Sequence, residues 1–362
     1  MFGLLWFAAI LGFLSSWAGL NLVYSISRRS AGPPDKQARK PMLTAYARKN
    51  GTVRGAQLAL DEPLPDETLW IDLREPSPEE RQKINKLLGI EVPTREEMQE
   101  IEISSRLYQE AGATYMTATL MAHTETENPV AGPVTFVLAA HRLVTLRYID
   151  PAPFRAYVVQ IGRSSQRIAS GEELLGGLLD AIVDRIADIL ERVQHDMDTF
   201  SSELFARDKK SSQLNYEPLL RRIGRAQGLT SRARESLVSI GRLLTFLARP
   251  SEGFDNAPGH AFATLSRDVT SLSDHASYLS NNINFLLDAT LGLINNEQTN
   301  IIKIFSVAAV VFLPPTLIAS IYGMNFKFMP ELSWWIGYPM SIALMIASVA
   351  GTYLFFKQRK WL

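Results

Sequence analysis

The sequence predicts an α+β membrane protein, in which an α/β domain precedes a long helical stalk that continues into the first of two C-terminal transmembrane helices. Three observations lead to this fold class. Short β-branched segments alternate with helical ones up to residue 148, a helical pattern without a strong breaker starts near residue 260, and uncharged apolar runs cover 304–326 and 332–356. Each run exceeds the about 20 residues that a helix needs to cross the hydrocarbon layer. The predicted limits are 42–165 for the α/β domain, 166–300 for the stalk and 301–362 for the membrane hairpin, with spans at about 303–323 and 336–356.

Composition narrows the functional classes. The chain has 362 residues with 37 basic and 37 acidic side chains. A balanced charge argues against nucleic-acid binding, which usually needs a basic face. The sequence contains no cysteine, which rules out disulfides, thiolate metal sites and a cysteine nucleophile.

The first 41 residues form an apolar N-terminal segment with several interpretations. Residues 1–27 are uncharged, and a basic cluster with Gly32-Pro33-Pro34 follows them. A signal peptide would carry its basic residues before the apolar run rather than after it. We therefore favour either an extra membrane helix, with the basic cluster in the cytoplasm, or a mis-set start in which the native chain begins at Met42.

The segment from Met42 to Tyr148 has an α/β pattern. The tripeptide Ala140-His141-Arg142 is a tight link that indicates a hairpin between the last two strands. Two short helices are predicted by capping boxes, one at Ser77-Pro78-Glu79-Glu80 and one at Thr94-Arg95-Glu96-Glu97. The predicted strands are Leu43–Ala47, Thr68–Leu73, Thr114–Met121, Val134–Ala139 and Leu143–Tyr148.

Long helices follow from about Glu172. The first has an apolar face, with Ile182, Ile186 and Ile189 at helical spacing, and an acidic face with Asp180 and Asp184. The second, Glu217 to Leu247, is rich in arginine. The third begins near His260 and enters the first membrane span without a proline before position 314.

Charges at the ends of the hairpin predict its topology. Lys303 precedes the first span and a lysine-rich tail closes the chain, whereas Lys327 and Glu331 cancel in the connecting loop. The positive-inside bias then places both ends and the soluble domain in the cytoplasm and the loop outside. We expect a multi-pass protein of the cell (inner) membrane, with Trp334, Trp335 and Tyr338 at the outer interface, and Trp361 at the inner one.

Nine side chains trace one stripe along the third helix, with steps of three, four or seven residues. The stripe begins acidic, becomes apolar in the middle and is polar again near the outer end. One subunit cannot enclose a pore with two helices, but symmetric copies can, with each residue forming a ring. Acidic rings attract cations and apolar rings gate by dewetting. A packing seam without a lumen is the alternative. The stripe consists of Asp288, Asn295, Thr299, Ile302, Phe305, Ala309, Leu313, Thr316 and Ser320.

Two breaks in the helical pattern carry possible chemistry. Pro314-Pro315 removes two backbone donors and weakens the bonding of carbonyls about one turn earlier; a simple kink is the plainer interpretation. Gly323-Met324-Asn325 lies at the turn of the hairpin, where glycine lets carbonyl oxygens face outward and Asn325 adds an amide oxygen. Mg²⁺ dehydrates reluctantly, so such neutral oxygens can bind it through its water shell. Glu331 can attract cations at the entrance.

The C-terminal segment resembles the CorA family of magnesium transporters. The resemblance rests on Tyr322–Phe326, on Met329-Pro330-Glu331-Leu332, and on Gly337-Tyr338-Pro339. Upstream, Ile301–Val307 and Val311–Thr316 are also similar to the family's bacterial members. The soluble region is similar in layout from Met42 onward, and the resemblance does not cover residues 1–41.

This resemblance implies a homopentameric, funnel-shaped channel for Mg²⁺ that also passes Co²⁺ and Ni²⁺. It places Gly323, Met324 and Asn325 on the selectivity filter. Thr299 falls where relatives commonly carry an asparagine ring, a departure that still leaves a polar ring. In the family, intracellular Mg²⁺ binds acidic sites between cytoplasmic domains and closes the pore, for which Asp268 and Asp274 are candidates here. The resemblance further assigns Ile302, Phe305 and Leu313 to the hydrophobic constriction and Asp288 to the acidic pore mouth.

Two other functions remain open from the sequence. The zinc branch that includes ZntB typically carries isoleucine in the middle of the filter, where this chain has Met324. A non-conducting, membrane-anchored scaffold or sensor is compatible with charge and hydropathy alone. We find no Walker-type phosphate loop, no His cluster and no Ser/His/Asp arrangement placed by motif. The sequence thus favours a non-enzymatic transporter whose partners are copies of itself, divalent cations and lipid, without an organic cofactor or nucleic acid.

Overall fold

The fold was analysed in a computed structural model of the chain. The structure describes residues 43–49, 52–163, 168–205, 216–248, 259–324 and 329–359. The interpretations of residues 1–41, of Asn325 and of Trp361 therefore lie outside the described residues. Residues 42–362 belong to one compact unit.

A seven-stranded mixed sheet forms the first part of the fold. Its strand order is β2-β1-β3-β7-β6-β5-β4, and every neighbouring pair is antiparallel except β3 and β7, which are parallel. The five predicted strands are confirmed, and the two edge strands β2 and β4 were missed. The strands are β1 Leu43–Lys49, β2 Thr52–Gln57, β3 Thr68–Arg74, β4 Leu107–Glu110, β5 Ala113–Ala122, β6 Val130–Ala139 and β7 Arg142–Arg147.

The predicted hairpin joins β6 to β7 through Ala140 and His141. Both residues have positive φ, 46° and 63°. Two consecutive left-handed residues match a two-residue turn of type I′, whose twist fits the strands it connects. The turn contains neither glycine nor asparagine, the residues that usually identify such a turn. In the sequence, only the short length of the link between the two strands predicted it.

Two short helices confirm the predicted capping boxes. In α1 (Pro78–Leu88), the Ser77 hydroxyl accepts a hydrogen bond from the Glu80 amide at 3.2 Å, and the Glu80 carboxylate accepts one from the Ser77 amide at 2.8 Å. Thr94 and Glu97 repeat this exchange at α2 (Arg95–Met98). The short α3 (Ile103–Arg106) then leads into β4.

The sheet lies between two helical layers. On one face, Ile71 and Val144 pack with Ile84 of α1 and Met98 of α2. On the other face, Trp70 and Phe136 join one continuous cluster with the long helices. The core thus continues past residue 165. The limits predicted for the α/β domain and the stalk stay a prediction. The long helices are α4 Ala152–Arg163, α5 Gly171–Phe205, α6 Tyr216–Leu247 and α7 Gly259–Tyr322.

The last of these long helices, α7, contains 64 residues and runs from the soluble part into the first apolar run. The sequence pattern predicted this continuity. A 3₁₀ helix, Pro330–Ser333, follows the turn, and α8 covers Gly337–Gln358. Both α7 and α8 are long and apolar enough to cross a membrane, with only 6% and 11% of their most apolar windows buried. This low burial distinguishes them from the core helices of a soluble protein.

Candidate functional site

All nine residues of the predicted stripe on α7 are exposed in the single chain. The three large apolar members, Ile302, Phe305 and Leu313, are 58%, 71% and 62% exposed. Side chains of this size are seldom left uncovered over such a length in a soluble protein, because contiguous apolar surface marks an interaction site. The stripe is therefore a surface that the rest of its own chain does not cover.

The packing seam of α7 lies on its other side. Leu279, Ile283 and Leu286 are almost completely buried in the cluster that includes α5 and α6, and Thr290 is fully buried one turn later. In the membrane part, Val307 is buried and α8 packs along α7. Thr290 and Val307 each lie two residues from a stripe position, or about 200° around an ideal helix. The stripe is thus separate from the seam that holds the chain together.

Two hydroxyls on the stripe are oriented by the helix itself. Thr299 Oγ1 donates to the Asn295 carbonyl at 2.8 Å, and Thr316 Oγ1 donates to the Phe312 carbonyl at 2.9 Å. Because a hydroxyl has one proton and two lone pairs, each of these oxygens faces its surroundings as an acceptor. Acceptors suit a cation or the water molecules around it.

The helix continues through Pro314 and Pro315. Neither residue has an N–H group. The carbonyls of Val310 and Val311, which would accept from positions 314 and 315, therefore lack their usual helical donors. The Thr316 hydroxyl lies within 2.9 Å of the Phe312 and Leu313 carbonyls. It therefore reinforces the turn that follows the two freed carbonyls, rather than bonding the Val310 and Val311 oxygens themselves.

Two backbone hydrogen bonds close the C-terminal end of α7. The Gly323 amide donates to the Ala319 carbonyl at 2.9 Å, and the Met324 amide donates to the Ile321 carbonyl at 3.2 Å, which tightens the last turn. A Cβ at Gly323 would lie 3.1 Å from the Ala319 oxygen, so a larger residue would crowd this turn. Gly323 and Met324 are exposed, and Glu331 belongs to the 3₁₀ helix beyond. A helix C-terminus carries partial negative charge, which favours a cation.

The two predicted regulatory carboxylates lie on different faces of α7. Both Asp268 and Asp274 are exposed. Asp274 precedes Asp288 by 14 residues, which places it within about 40° of the stripe. Asp268 faces α5, where partial burial raises the pKa of Asp180 and the charges of Asp184 and Asp268 raise it further.

The grouping of Asp180, Asp184 and Asp268 was missed from the sequence. Helical spacing showed that the two α5 residues share a face, but nothing in the spacing showed that α7 brings a third carboxylate to them. Among the residues that the structure describes, no set of three His, Asp or Glu side chains is arranged to hold a metal ion.

Comparisons with known proteins agree with this arrangement. The family model described as "CorA-like Mg2+ transporter protein" matches residues 65–358. A magnesium transport protein CorA of Yersinia pseudotuberculosis is 34% identical over 325 residues, which cover 89% of this chain and all of that protein.

Solved structures share the fold. The complete CorA magnesium transporter of Methanocaldococcus jannaschii superimposes with a TM-score of 0.69 at 21% identity, covering 89% of this chain and 99% of that one. The ZntB cytoplasmic domain of Vibrio parahaemolyticus reaches 0.50 at 11% identity, covering 70% of this chain and 98% of that one. The extent of the family match and the full-length relative establish that this chain belongs to the CorA-like Mg²⁺ transporter family.

Proposed function

We propose that this protein mediates Mg²⁺ influx across the cell (inner) membrane, down the electrochemical gradient. The observation that carries the proposal is the stripe on α7, which is exposed over its whole length and changes from acidic to apolar to polar. Support also comes from the CorA relative of Yersinia pseudotuberculosis. It is named a magnesium transport protein, and the match covers all of its length. Co²⁺ and Ni²⁺ are proposed as further permeant ions.

The proposed assembly is a funnel-shaped homopentamer. Two membrane helices of one chain cannot surround a water path, whereas a cyclic arrangement turns each stripe residue into a ring. The exposure of Ile302, Phe305 and Leu313 in the single chain supports this, because the rings would face one another around the axis.

The filter residues, the stripe and the connecting loop each have a proposed role. Gly323, Met324 and Asn325 present neutral oxygens to a Mg²⁺ ion that keeps its water shell. The apolar rings close the path by excluding water. Asp288, with Asn295 and Thr299, attracts cations at the inner mouth, and Glu331 does so outside. Ala309, Thr316 and Ser320 line the remaining path.

The membrane potential supplies the driving force in this proposal. With the soluble domain in the cytoplasm and an inside-negative potential, a divalent cation gains about 4.6 kcal/mol per 100 mV, twice the single-charge value. We propose that cytoplasmic Mg²⁺ closes the path by binding carboxylates at subunit boundaries. Asp268, which shares its surroundings with Asp180 and Asp184, and Asp274 are the proposed ligands.

The experiment is Mg²⁺ uptake into proteoliposomes that contain the full chain or its Asn325→Ala variant. We expect uptake to fall at least about tenfold, which is a barrier increase of about 1.4 kcal/mol, while native mass spectrometry finds the same oligomer. Ser333→Ala, in the same loop, is the matched control and should transport normally. Unchanged uptake in the Asn325 variant would contradict the proposed filter.

The same liposomes separate the alternatives. Uptake of Zn²⁺ with little Mg²⁺ uptake would favour a ZntB-like zinc transporter, and absence of any flux would favour a scaffold or sensor. The likeness to ZntB supports the shared fold alone, because identity is only 11%.

A further inference from the structure

A groove rich in arginine runs along the N-terminal half of α6. We call it the arginine groove and define it by Arg221, Arg225 and Arg232 with Gly224 and Gly228 on α6. The facing wall consists of Glu127, Asn128 and Pro129 from the β5–β6 loop, and Arg222 lies at the rim. The three arginines are spaced four and seven residues apart and therefore share one face of the helix.

Two of these arginines have no acidic partner among the residues that the structure describes. Arg225 Nη2 donates to the Thr126 carbonyl at 3.1 Å, and Arg232 Nη1 donates to the Gly228 carbonyl at 3.1 Å. Within the described ranges, neither forms an ion pair, although the carboxylate of Glu127 lines the same groove. Each guanidinium has five N–H donors in a fixed fork, so most of its donors remain open to a ligand.

The remaining arginines of the groove are already paired. Arg221 binds Glu217 at 2.7 Å and Arg222 binds Glu203 at 3.1 Å. Both of these pairs are largely exposed, where ion pairs are weak and side chains rearrange readily. The unpaired positive charge is thus concentrated on Arg225 and Arg232, with Arg221 and Arg222 beside them.

Two glycines keep the floor of the groove open. A Cβ at Gly224 would meet nothing within 4 Å, and one at Gly228 would lie 3.1 Å from Arg232 Nη1. Glycine destabilises the interior of a helix relative to alanine. Here its absence of a side chain lets the Arg232 guanidinium fold back onto the helix. The open groove offers about 690 Å³ of space, which exceeds the volume of a single phosphate group.

The position of the groove argues against a lipid headgroup. Gln227 Nε2, beside Gly228, donates to Ser280 Oγ on α7 at 3.2 Å, so the groove lies level with Ser280. The first predicted span begins after Lys303, and the intervening helix measures about 35 Å at 1.5 Å per residue. A ligand that binds this far from the predicted membrane span comes from the aqueous phase.

We propose that the arginine groove binds a soluble phosphate-bearing anion of pyrophosphate or nucleotide size. The guanidinium forks of Arg225 and Arg232 match pairs of phosphate oxygens, which Arg binds in a bidentate manner. Asn128 offers an amide donor from the opposite wall. The negative charge of Glu127 repels the anion and weakens its binding. This site is separate from the α7 stripe, so it stands or falls independently of the transport proposal.

Isothermal titration of the full chain with pyrophosphate tests the proposal. The protein is held in neutral-lipid nanodiscs, in Mg²⁺-free buffer, so that the anion stays unchelated. We expect saturable binding that weakens about tenfold in Arg225→Gln and Arg232→Gln, as for loss of a charge-assisted hydrogen bond. Arg234→Gln, on another face of α6, is the matched control and should bind within about twofold. Glu127→Gln should bind more tightly, and circular dichroism checks that each variant is folded.

The outcomes separate the explanations. Absence of saturable binding, or equal binding by the Arg225, Arg232 and Arg234 variants, would show a solvated basic surface and overturn the proposal. A second arm repeats the titration in nanodiscs with anionic phosphatidylglycerol. If pyrophosphate binding disappears there but not in neutral nanodiscs, a lipid headgroup occupies the groove and the soluble-anion assignment is wrong.

Discussion

The two halves of α7 share one continuous backbone but differ in what covers them. In the soluble half, buried side chains recur every three to seven residues and pack on the helices of the same chain. In the membrane half, residues 301–322, only Val307 is buried. The buried positions of the soluble half are Phe262, Leu265, Val269, Ala276, Leu279, Ile283, Leu286 and Thr290.

This difference shows which part of α7 is left uncovered by its own chain. The soluble half completes its core within one chain, so its buried positions are explained by folding alone. The membrane half leaves nearly all of its surface to lipid and to other subunits. Lipid suits the apolar part of that surface, but it does not suit Thr316 and Ser320, because hydroxyls gain nothing from hydrocarbon. The polar members of the stripe are therefore better suited to another subunit or to the proposed water-filled path than to lipid.

The largest expected effect comes from truncating a leucine in each half. Leu279→Ala removes a side chain that is fully buried, and we expect the free energy of unfolding to fall by about 2–5 kcal/mol. Leu313→Ala, with the same chemistry at an exposed site, should cost roughly 0.5 kcal/mol or less. Denaturant unfolding of the full chain in detergent, followed by circular dichroism, measures both. Equal losses would contradict the division of α7 into a packed half and an uncovered half.

A second comparison uses two neighbouring residues of the membrane half. Phe305 and Ile304 are 71% and 68% exposed, but one lies on the stripe and the other about 100° away around the helix. Phe305→Ser makes a proposed apolar ring polar and should admit water more easily. We expect Mg²⁺ flux at closing Mg²⁺ concentrations to rise about tenfold, a barrier change of about 1.4 kcal/mol.

Ile304→Ser is the control for that measurement. It introduces the same hydroxyl at the same depth but off the stripe, so the flux should stay near that of the wild type. A rise in both variants would indicate general weakening of the helix, and a rise in Ile304→Ser alone would place the water path on another face.

Much of the fold could be predicted because local patterns determine it. The capping boxes at Ser77 and Thr94 form as the spacing predicted, and the stalk continues into the membrane because no breaker interrupts it. The edge strands β2 and β4 were missed for a local reason. β2 contains Arg54 and Gly55 on an exposed edge, and β4 has only four residues. Gly55 is needed there, since a Cβ would lie 2.6 Å from the Tyr46 ring.

The candidate site was only partly predictable. Periodicity along α7 was enough to identify the stripe, since all of its members belong to one helix. The proximity of Asp180 and Asp268 depends on the packing of α5 against α7, which links positions far apart in sequence. The groove depends in the same way on the β5–β6 loop, so the absence of acidic partners for Arg225 and Arg232 among the described residues appears only in three dimensions.

The smallest expected effect concerns the acidic group on the packed half of α7. Partial burial, with Asp184 and Asp268 nearby, raises the pKa of Asp180 above its ordinary value of 3.8. A raised pKa means that folding disfavours the ionised form. Stability is therefore lost as the pH rises through the folded pKa and is recovered below the unfolded one.

Asp180→Asn removes this charge and should raise the unfolding midpoint slightly at pH 7, with the difference from the wild type disappearing below about pH 3.8. Thermal unfolding in detergent at both pH values measures this. Asp198→Asn, about 27 Å further along the same helix, is the control and should change less. Because Mg²⁺ neutralises carboxylates, millimolar Mg²⁺ should also reduce the Asp180→Asn difference if Asp268 is a regulatory ligand. A difference that persists unchanged at low pH would refute the electrostatic cause, and one that ignores Mg²⁺ would remove Asp268 from the proposed regulatory site.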